Sequence, residues 1–194
     1  MQQEIEAKFL DVDHDAVRRS LEAAGAVCEK PMRAMRRVTF DNAAMKAKGS
    51  WIRVRDEGDK VTVTYKQVTE LSADGVHEIE TTAGSFDDMV AIFKASELAG
   101  GSFQESKRET WRLGGVEVVL DEWPWLKPYI EIEGPSEDAI RQVAERLGFD
   151  WSQACFGDVM VAYRAQYPHL ALDDTVGDLP EVRFDAPLPD LLRA

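Results

Sequence analysis

Cysteine, histidine and long apolar runs are all scarce in this chain, and each shortage closes off a class of function. Only two cysteines, Cys28 and Cys155, occur in 194 residues. They are too few for a disulfide framework and lack the paired spacing of a metal site. The three histidines, His14, His77 and His169, lie far apart, with no nucleophile or ligand spacing around them. No apolar run approaches the roughly 18–20 residues of a membrane-spanning helix. The first ten residues carry Glu4, Glu6 and Lys8 in place of a basic and then apolar leader, so a cytoplasmic location is expected. Positive charge is in deficit too: 23 Lys and Arg stand against 36 Asp and Glu, a net charge of −13. Neither a membrane partner nor non-specific nucleic-acid binding, which needs cations on phosphates, is expected.

What is present is enough for one globular domain with a tail: 44% of residues are hydrophobic and 30% charged. The pattern alternates with period two in many short stretches, the signature of strands. These are Glu4–Phe9, Arg33–Asp41, Ser50–Arg55, Lys60–Lys66, Val76–Thr82, Phe103–Leu113, Val116–Asp121 and Tyr129–Glu133. Asp56–Asp59 and Gly114-Gly115 are hairpin turns. Helical spacing marks a helix from Val12 to Ala24 capped by Asp11 or Asp13, and others over 86–98, 136–147 and 156–167. The expected organisation is a domain over residues 1–168 and an acidic, proline-containing tail over 169–194, mobile or loosely docked. Eight antiparallel strands suit a closed barrel, because closure removes exposed edges.

The charges share one parity. Glu4, Glu6 and Lys8 fall on one strand face, as do Arg33 and Arg37, Arg53 and Arg55, Lys66, Glu78 and Glu80, Arg108 and Arg112, Glu117 and Asp121, and Glu131 and Glu133. The opposite faces are apolar, from Ile5 and Phe9 to Ile130 and Ile132. This inverts the usual small barrel: charge would line the interior, and helices would cover an apolar outside. An open sheet with one solvated face is the plain alternative. It would mix Lys, Thr, Ser and Gln freely, and would not concentrate Arg-x-Arg and Glu-x-Glu pairs of like charge.

Glu4-Ile5-Glu6-Ala7-Lys8 resembles the E-x-E-x-K hallmark of the CYTH, or triphosphate tunnel metalloenzyme, family. Arg53-Val54-Arg55, Thr64-Tyr65-Lys66, Glu78-Ile79-Glu80, Lys107-Arg108 before Trp111, Leu120-Asp121-Glu122 and Glu131-Ile132-Glu133 follow in the family's order. The resemblance runs over roughly residues 2–165. It implies an α+β fold: a closed eight-stranded antiparallel tunnel with a charged interior, helices packed outside, holding a small-molecule triphosphate and Mg²⁺ or Mn²⁺, in a monomer or homodimer. Arg53, Arg55, Lys66 and Arg108 are then the expected phosphate ligands, joined by Arg37 and Lys107, because guanidinium forks match phosphate oxygens. Glu4, Glu6, Glu131 and Glu133 are the expected metal ligands, with Glu80 and Asp121 as further ligands or orienters of cations. Lys8 is the candidate catalytic residue, able to help activate water if burial lowers its pKa.

Three functions follow from that resemblance. A metal-dependent triphosphatase would hydrolyse the terminal phosphate of thiamine triphosphate, tripolyphosphate or a nucleotide. A class IV adenylyl cyclase would convert ATP to cyclic AMP and pyrophosphate. A non-catalytic polyphosphate- or nucleotide-binding module would need fewer acids. The chain also departs from the family: Ser106 stands where a lysine is common, and Arg164 is what the last helix offers in place of a lysine.

Overall fold

The computed structural model describes residues 1–96 and 98–194, and of residues 99 and 100 the backbone alone. Among the described residues ten strands form one sheet: β1 (Gln2–Glu4), β2 (Glu6–Leu10), β3 (Val27–Asp41), β4 (Ser50–Asp56), β5 (Val61–Val68), β6 (Val76–Ala83), β7 (Ala99–Leu113), β8 (Val116–Glu122), β9 (Tyr129–Glu133) and β10 (Glu181–Val182). Nine of them follow the path β1-β6-β5-β4-β3-β7-β8-β9-β2, and β10 pairs with β7 off that path. β1 and β2 are consecutive in the chain, separated by Ile5 alone, yet they sit at opposite ends of the path. One short segment therefore bonds to β6 on one side and β9 on the other, bringing the sheet to a near-closed antiparallel barrel.

The expected count of eight strands is corrected by this topology. The opening stretch is two strands, because it changes partner at Ile5: the Glu6 N–H goes to Ala73 O and the Ile5 carbonyl accepts from Gly134 N. The second addition, β10, comes from the tail. β3 also begins earlier than the alternation predicts, with register shifts between Cys28 and Lys30 and between Lys30 and Arg33. Pro31 falls in that irregular stretch, where a missing N–H costs no ladder bond.

Among the described residues five α-helices accompany the sheet: α1 (His14–Ala23), α2 (Ala43–Lys46), α3 (Phe86–Ala95), α4 (Glu137–Arg146) and α5 (Met160–Gln166). The Asp13 carboxylate caps α1 by accepting from Asp15 and Ala16 N–H, and Ser136 caps α4 through Ala139. The predicted helix over 86–98 ends by Ala95; its residue 97 lies outside the described residues. Among the described residues no helix is long and apolar enough to cross a membrane.

The apolar core lies between the sheet and these helices. Ala7, Phe9, Val118, Leu120, Ile130 and Ile132 pack against Leu21 of α1 and against Ile140 and Ala144 of α4. Val38, Phe40 and Val54 meet Phe86 of α3. Gly134, between β9 and α4, makes the close approach possible: a Cβ there would stand 2.9 Å from the Ile140 side chain.

The tail is not the loosely docked segment the composition suggests. Leu170, Val176, Val182 and Leu192 are buried together with Met160 and Tyr163 of α5. β10 adds in parallel to Phe103 and Gln104. These spaced apolar residues supply enough burial to order the segment despite its acids.

Candidate functional site

Alternation and register together decide which side chains meet. Lys8 on β2 lies opposite Glu131 on β9, and Glu6 opposite Glu133. Glu133 faces Glu117 on β8. Asp121 on β8 faces Arg108 on β7, which faces Arg33 on β3. Arg37 lies between Gln104 and Arg55. Arg53 faces Thr64, and Thr64 faces Glu80. Side chains of this one parity line a cavity of about 900 Å³.

The structure brings Glu4, Glu6, Lys8, Arg37, Arg53, Arg55, Lys66, Glu80, Arg108, Glu131 and Glu133 to that cavity. Asp121 stands just behind it, with Oδ1 accepting from Arg108 Nε at 2.7 Å. Lys107 is the exception. Its parity turns it away, so that Nζ meets Glu122 Oε2 at 3.0 Å and lies 4.8 Å from the centre of the Phe184 ring. Its assignment to phosphate is withdrawn for that reason.

Lys8 also reads differently in three dimensions. Its Nζ sits 2.6 Å from Glu6 Oε1 and 3.3 Å from Glu131 Oε1, with 2% of the side chain exposed. Burial works to lower its pKa, but Glu131 and Glu6 outweigh burial and hold it above the ordinary lysine value. A proton so held is not readily released, so Lys8 as an activator of water is corrected to a cation that positions Glu6 and Glu131.

The cations fall into two kinds. Arg108 is fully engaged, its Nη2 at 2.5 Å from Asp121 Oδ2 and 2.7 Å from Glu131 Oε2. Lys66 is engaged as well, 2.6 Å from Glu4 Oε2. Arg37 and Arg53 are not matched in this way. Arg37 donates from Nε to Gln104 Oε1 at 2.8 Å and stacks 4.3 Å above the Trp123 ring centre. Arg53 donates to Thr64 Oγ1 at 3.1 Å and has Glu80 at 3.5 Å. Burial, with Arg55 and Arg37 as neighbours, pushes Arg53 down to about 9, and burial pushes Arg37 down to about 10. Both remain cationic at neutral pH. Arg53 Nε and Arg33 Nη1 are buried polar atoms without a hydrogen-bond partner, an arrangement that is costly unless an acceptor binds there.

The carboxylates are crowded in turn. Burial, then Glu4, Glu6 and Glu117, push Glu133 up to about 7. Among the described residues no three His, Cys, Asp or Glu side chains already converge closely enough to hold a metal ion. The donor chemistry still fits a hard divalent cation, since Glu6, Glu133 and Glu117 form one cross-strand row of oxygen donors. A cation there would relieve the repulsion recorded at Glu133.

Several lining residues were given no role by the sequence-based assignment: Arg33, Glu78, Gln104, Tyr129, Asp158, Arg164 and, in the tail, residues 172–173 and 175–178. Parity was a usable signal for Arg33, Glu78 and Tyr129, which alternate with assigned residues. Arg164 was the residue the last helix offered in place of a lysine, whereas nothing in the sequence pattern foretells the contribution of Asp158 or the tail, which enter by tertiary packing.

Comparison with known proteins bears on the same residues. The family model described as the CYTH domain matches residues 2–150. Comparison with curated proteins gives no match. Among solved structures, a candidate adenylate cyclase from Vibrio parahaemolyticus superposes with a TM-score of 0.71 at 12% identity, covering 83% of this chain and 97% of its own. The PH1012 protein of Pyrococcus horikoshii OT3 gives 0.68 at 22% identity, with 78% and 93% covered. A Hippeastrum candidate adenylyl cyclase, described as revealing a dominant triphosphatase activity, gives 0.55 at 19% identity, with 84% and 96% covered. At these identities the likeness is one of fold.

Proposed function

Because the chain belongs to the CYTH domain family, we propose that it is a divalent-metal-dependent triphosphatase, binding a small organic or inorganic triphosphate in a charged tunnel. The observation that carries this reading is the convergence of Arg33, Arg37, Arg53 and Arg55 on one cavity wall, with buried donors of Arg33 and Arg53 lacking acceptors. Arg37 and Arg55 lie directly opposite across strands, a placement that destabilises a sheet; Glu57 binds Arg55 at 2.6 Å, and Arg37 has Gln104 for its partner. A polyanion lying between them would turn that cost into binding.

In this reading Arg37, Arg53 and Arg55 grip phosphoryl oxygens, and Lys66 and Arg108 flank them. The forked guanidinium donors align the chain and stabilise charge that builds on the transferring phosphoryl group, the dominant need of such a reaction. Glu4, Glu6, Glu131 and Glu133 would hold Mg²⁺ or Mn²⁺, and Glu80 and Asp121 orient Arg53 and Arg108. A divalent cation bound there would supply charge neutralisation between phosphate oxygens. Lys8 fixes Glu6 and Glu131 between strands β2 and β9. Water would attack the terminal phosphorus in line, the bridging P–O bond would break with the diphosphate as leaving group, and orthophosphate and a proton would be released.

Product analysis tests this directly. The protein is incubated with Mg²⁺ or Mn²⁺ and ATP, thiamine triphosphate or tripolyphosphate, and orthophosphate, pyrophosphate and cyclic AMP are resolved. Orthophosphate is expected. Cyclic AMP with pyrophosphate would make the protein a cyclase instead, and binding without any product would make it a binding module.

A further inference from the structure

The turn of the β4–β5 hairpin returns an acid into the cavity. Glu57 sits at that turn, where its N–H donates to Lys60 O at 2.9 Å and Gly58 takes φ +88°. Yet Glu57 is only 4% exposed and lines the cavity together with the arginines. A carboxylate on a surface turn ordinarily stays in water, and Asp59 of the same turn does so, its side chain 55% exposed. Glu57 is turned inward instead. Its Oε1 accepts from Arg55 Nε at 3.0 Å and Nη2 at 2.6 Å. Its Oε2 stands 3.5 Å from Arg33 Nη2 and 3.8 Å from Lys60 Nζ, and its carbonyl accepts from Arg33 Nε at 3.0 Å.

Register sets the order along this wall. Arg37 lies opposite Arg55, and Arg36 opposite Asp56, so β3 runs back toward Arg33 as β4 runs out to Glu57. Read outward from mid-strand, the wall is Arg53, then Arg37 with Arg55, then Arg33 with Glu57. Four residues separate Arg53 from Glu57, about 13 Å along a strand. The wall is therefore open at Arg53 and Arg37 and closed by a carboxylate at its end. Arg33 Nη1 still lacks a partner there, so one buried donor remains for the last oxygen of a bound anion. An anion reaching further would meet the Glu57 carboxylate and be repelled. Setting a like charge against the wrong ligand is a general route to specificity.

We propose that Glu57 is a chain-length stop: its inward-turned carboxylate ends the phosphate-binding track at Arg33 and Arg55, so that the site takes three phosphates and rejects a fourth. This inference rests on the triphosphate reading above and deepens it, from the class of anion to the length of the chain. A buried ion pair that only neutralised Arg55 would carry no such preference.

Chain length is the variable that tests it. Dissociation constants for inorganic tripolyphosphate and tetrapolyphosphate are measured by calorimetry in the full-length protein, with and without Mg²⁺, and orthophosphate release is followed in parallel. Charge alone favours the longer chain, but the wild type is expected to bind tripolyphosphate more tightly. Glu57→Gln is expected to raise the affinity for tetrapolyphosphate relative to tripolyphosphate by about tenfold. Asp59→Asn removes the same charge from the same turn, at a side chain paired with Lys30, and is expected to leave that ratio unchanged. A wild type that prefers tetrapolyphosphate would overturn the proposal. So would a Glu57→Gln protein that tightens both chains equally, or an equal rise of the ratio in Asp59→Asn. If Glu57→Gln does not fold, the wild-type order of affinities decides alone. The length preference without orthophosphate release would support the stop while overturning the hydrolase reading. No binding of either chain would overturn both.

Discussion

Two arginines on neighbouring parts of the cavity wall behave as opposites. Arg108 meets Asp121 and Glu131 at 2.5 and 2.7 Å, and its pKa is held well above the ordinary arginine value: burial lowers it, but those carboxylates outweigh burial. Arg53, more deeply buried, has Glu80 no nearer than 3.5 Å, and it is pushed down to about 9 by burial first and then by its neighbours Arg55 and Arg37. Burial is common to both; the sign of the neighbours differs. A buried cation with its own carboxylates holds the barrel together, whereas one among like charges lowers stability unless an anion arrives. Such a division matches a general conflict between stability and function at binding sites.

The largest effect expected from breaking this contrast is at Arg108. Arg108→Leu leaves Asp121, whose side chain is 1% exposed, as a buried charge without its partner. A loss of about 3–5 kcal/mol of folding stability is expected, measured by urea denaturation. Arg53→Leu should do the reverse: stability equal to or above wild type, and triphosphate affinity lower by about 100-fold, the scale of one charge-assisted contact of about 2–3 kcal/mol. Unfolding curves and calorimetry on the same two variants read both sides. If Arg53→Leu proves as destabilised as Arg108→Leu, the division between the two arginines is wrong.

Glu133 sharpens the comparison on the acidic side. Its folded pKa of about 7 lies above the ordinary value of 4.5. A group raised on folding holds its proton longer in the native state, so the metal-free protein should lose stability as pH rises from about 4.5 to 7. Glu133→Gln should flatten that decline, as a melting-temperature series across pH would reveal. Mn²⁺ affinity of the wild type should climb as pH passes through 7, because the cation and the proton compete for the same carboxylate. The smallest effect belongs to Lys107→Ala. Its ion pair with Glu122 is exposed, with side chains 45% and 33% accessible, so stability should fall by less than about 1 kcal/mol and kcat/KM should stay unchanged.

Much of the site was legible because a strand's period is two and its parity is strict. Glu4-Ile5-Glu6-Ala7-Lys8 already separates Glu4, Glu6 and Lys8 from Ile5 and Ala7. The same arithmetic places Arg53 with Arg55 and Glu131 with Glu133, whatever their partners. Lys107 shows the rule by its breach: it was assigned beside Arg108 against its own parity, and the structure turned it outward. Lys8 shows a different limit. Its alternation was right, but its proton affinity depends on Glu131, a residue far along the chain.

The sequence by itself determined which side chains share a face, where α4 begins at Ser136, and where the hairpin turns at Gly114-Gly115. These follow from local periodicity, capping and turn chemistry, each contained within a few residues. Only the tertiary structure decided that the opening stretch would divide at Ile5 and join both ends of the sheet, that Arg108 would be tightly paired and Arg53 only loosely, at 3.5 Å from Glu80, and that the acidic tail would pack beside the cavity. Those outcomes depend on strand order and on contacts between residues as distant as Lys46 and Asp178. Charge composition read along the tail suggested a mobile or loosely docked segment. Burial of Val176, Val182 and Leu192 against surfaces that exist only in the folded barrel ordered it instead.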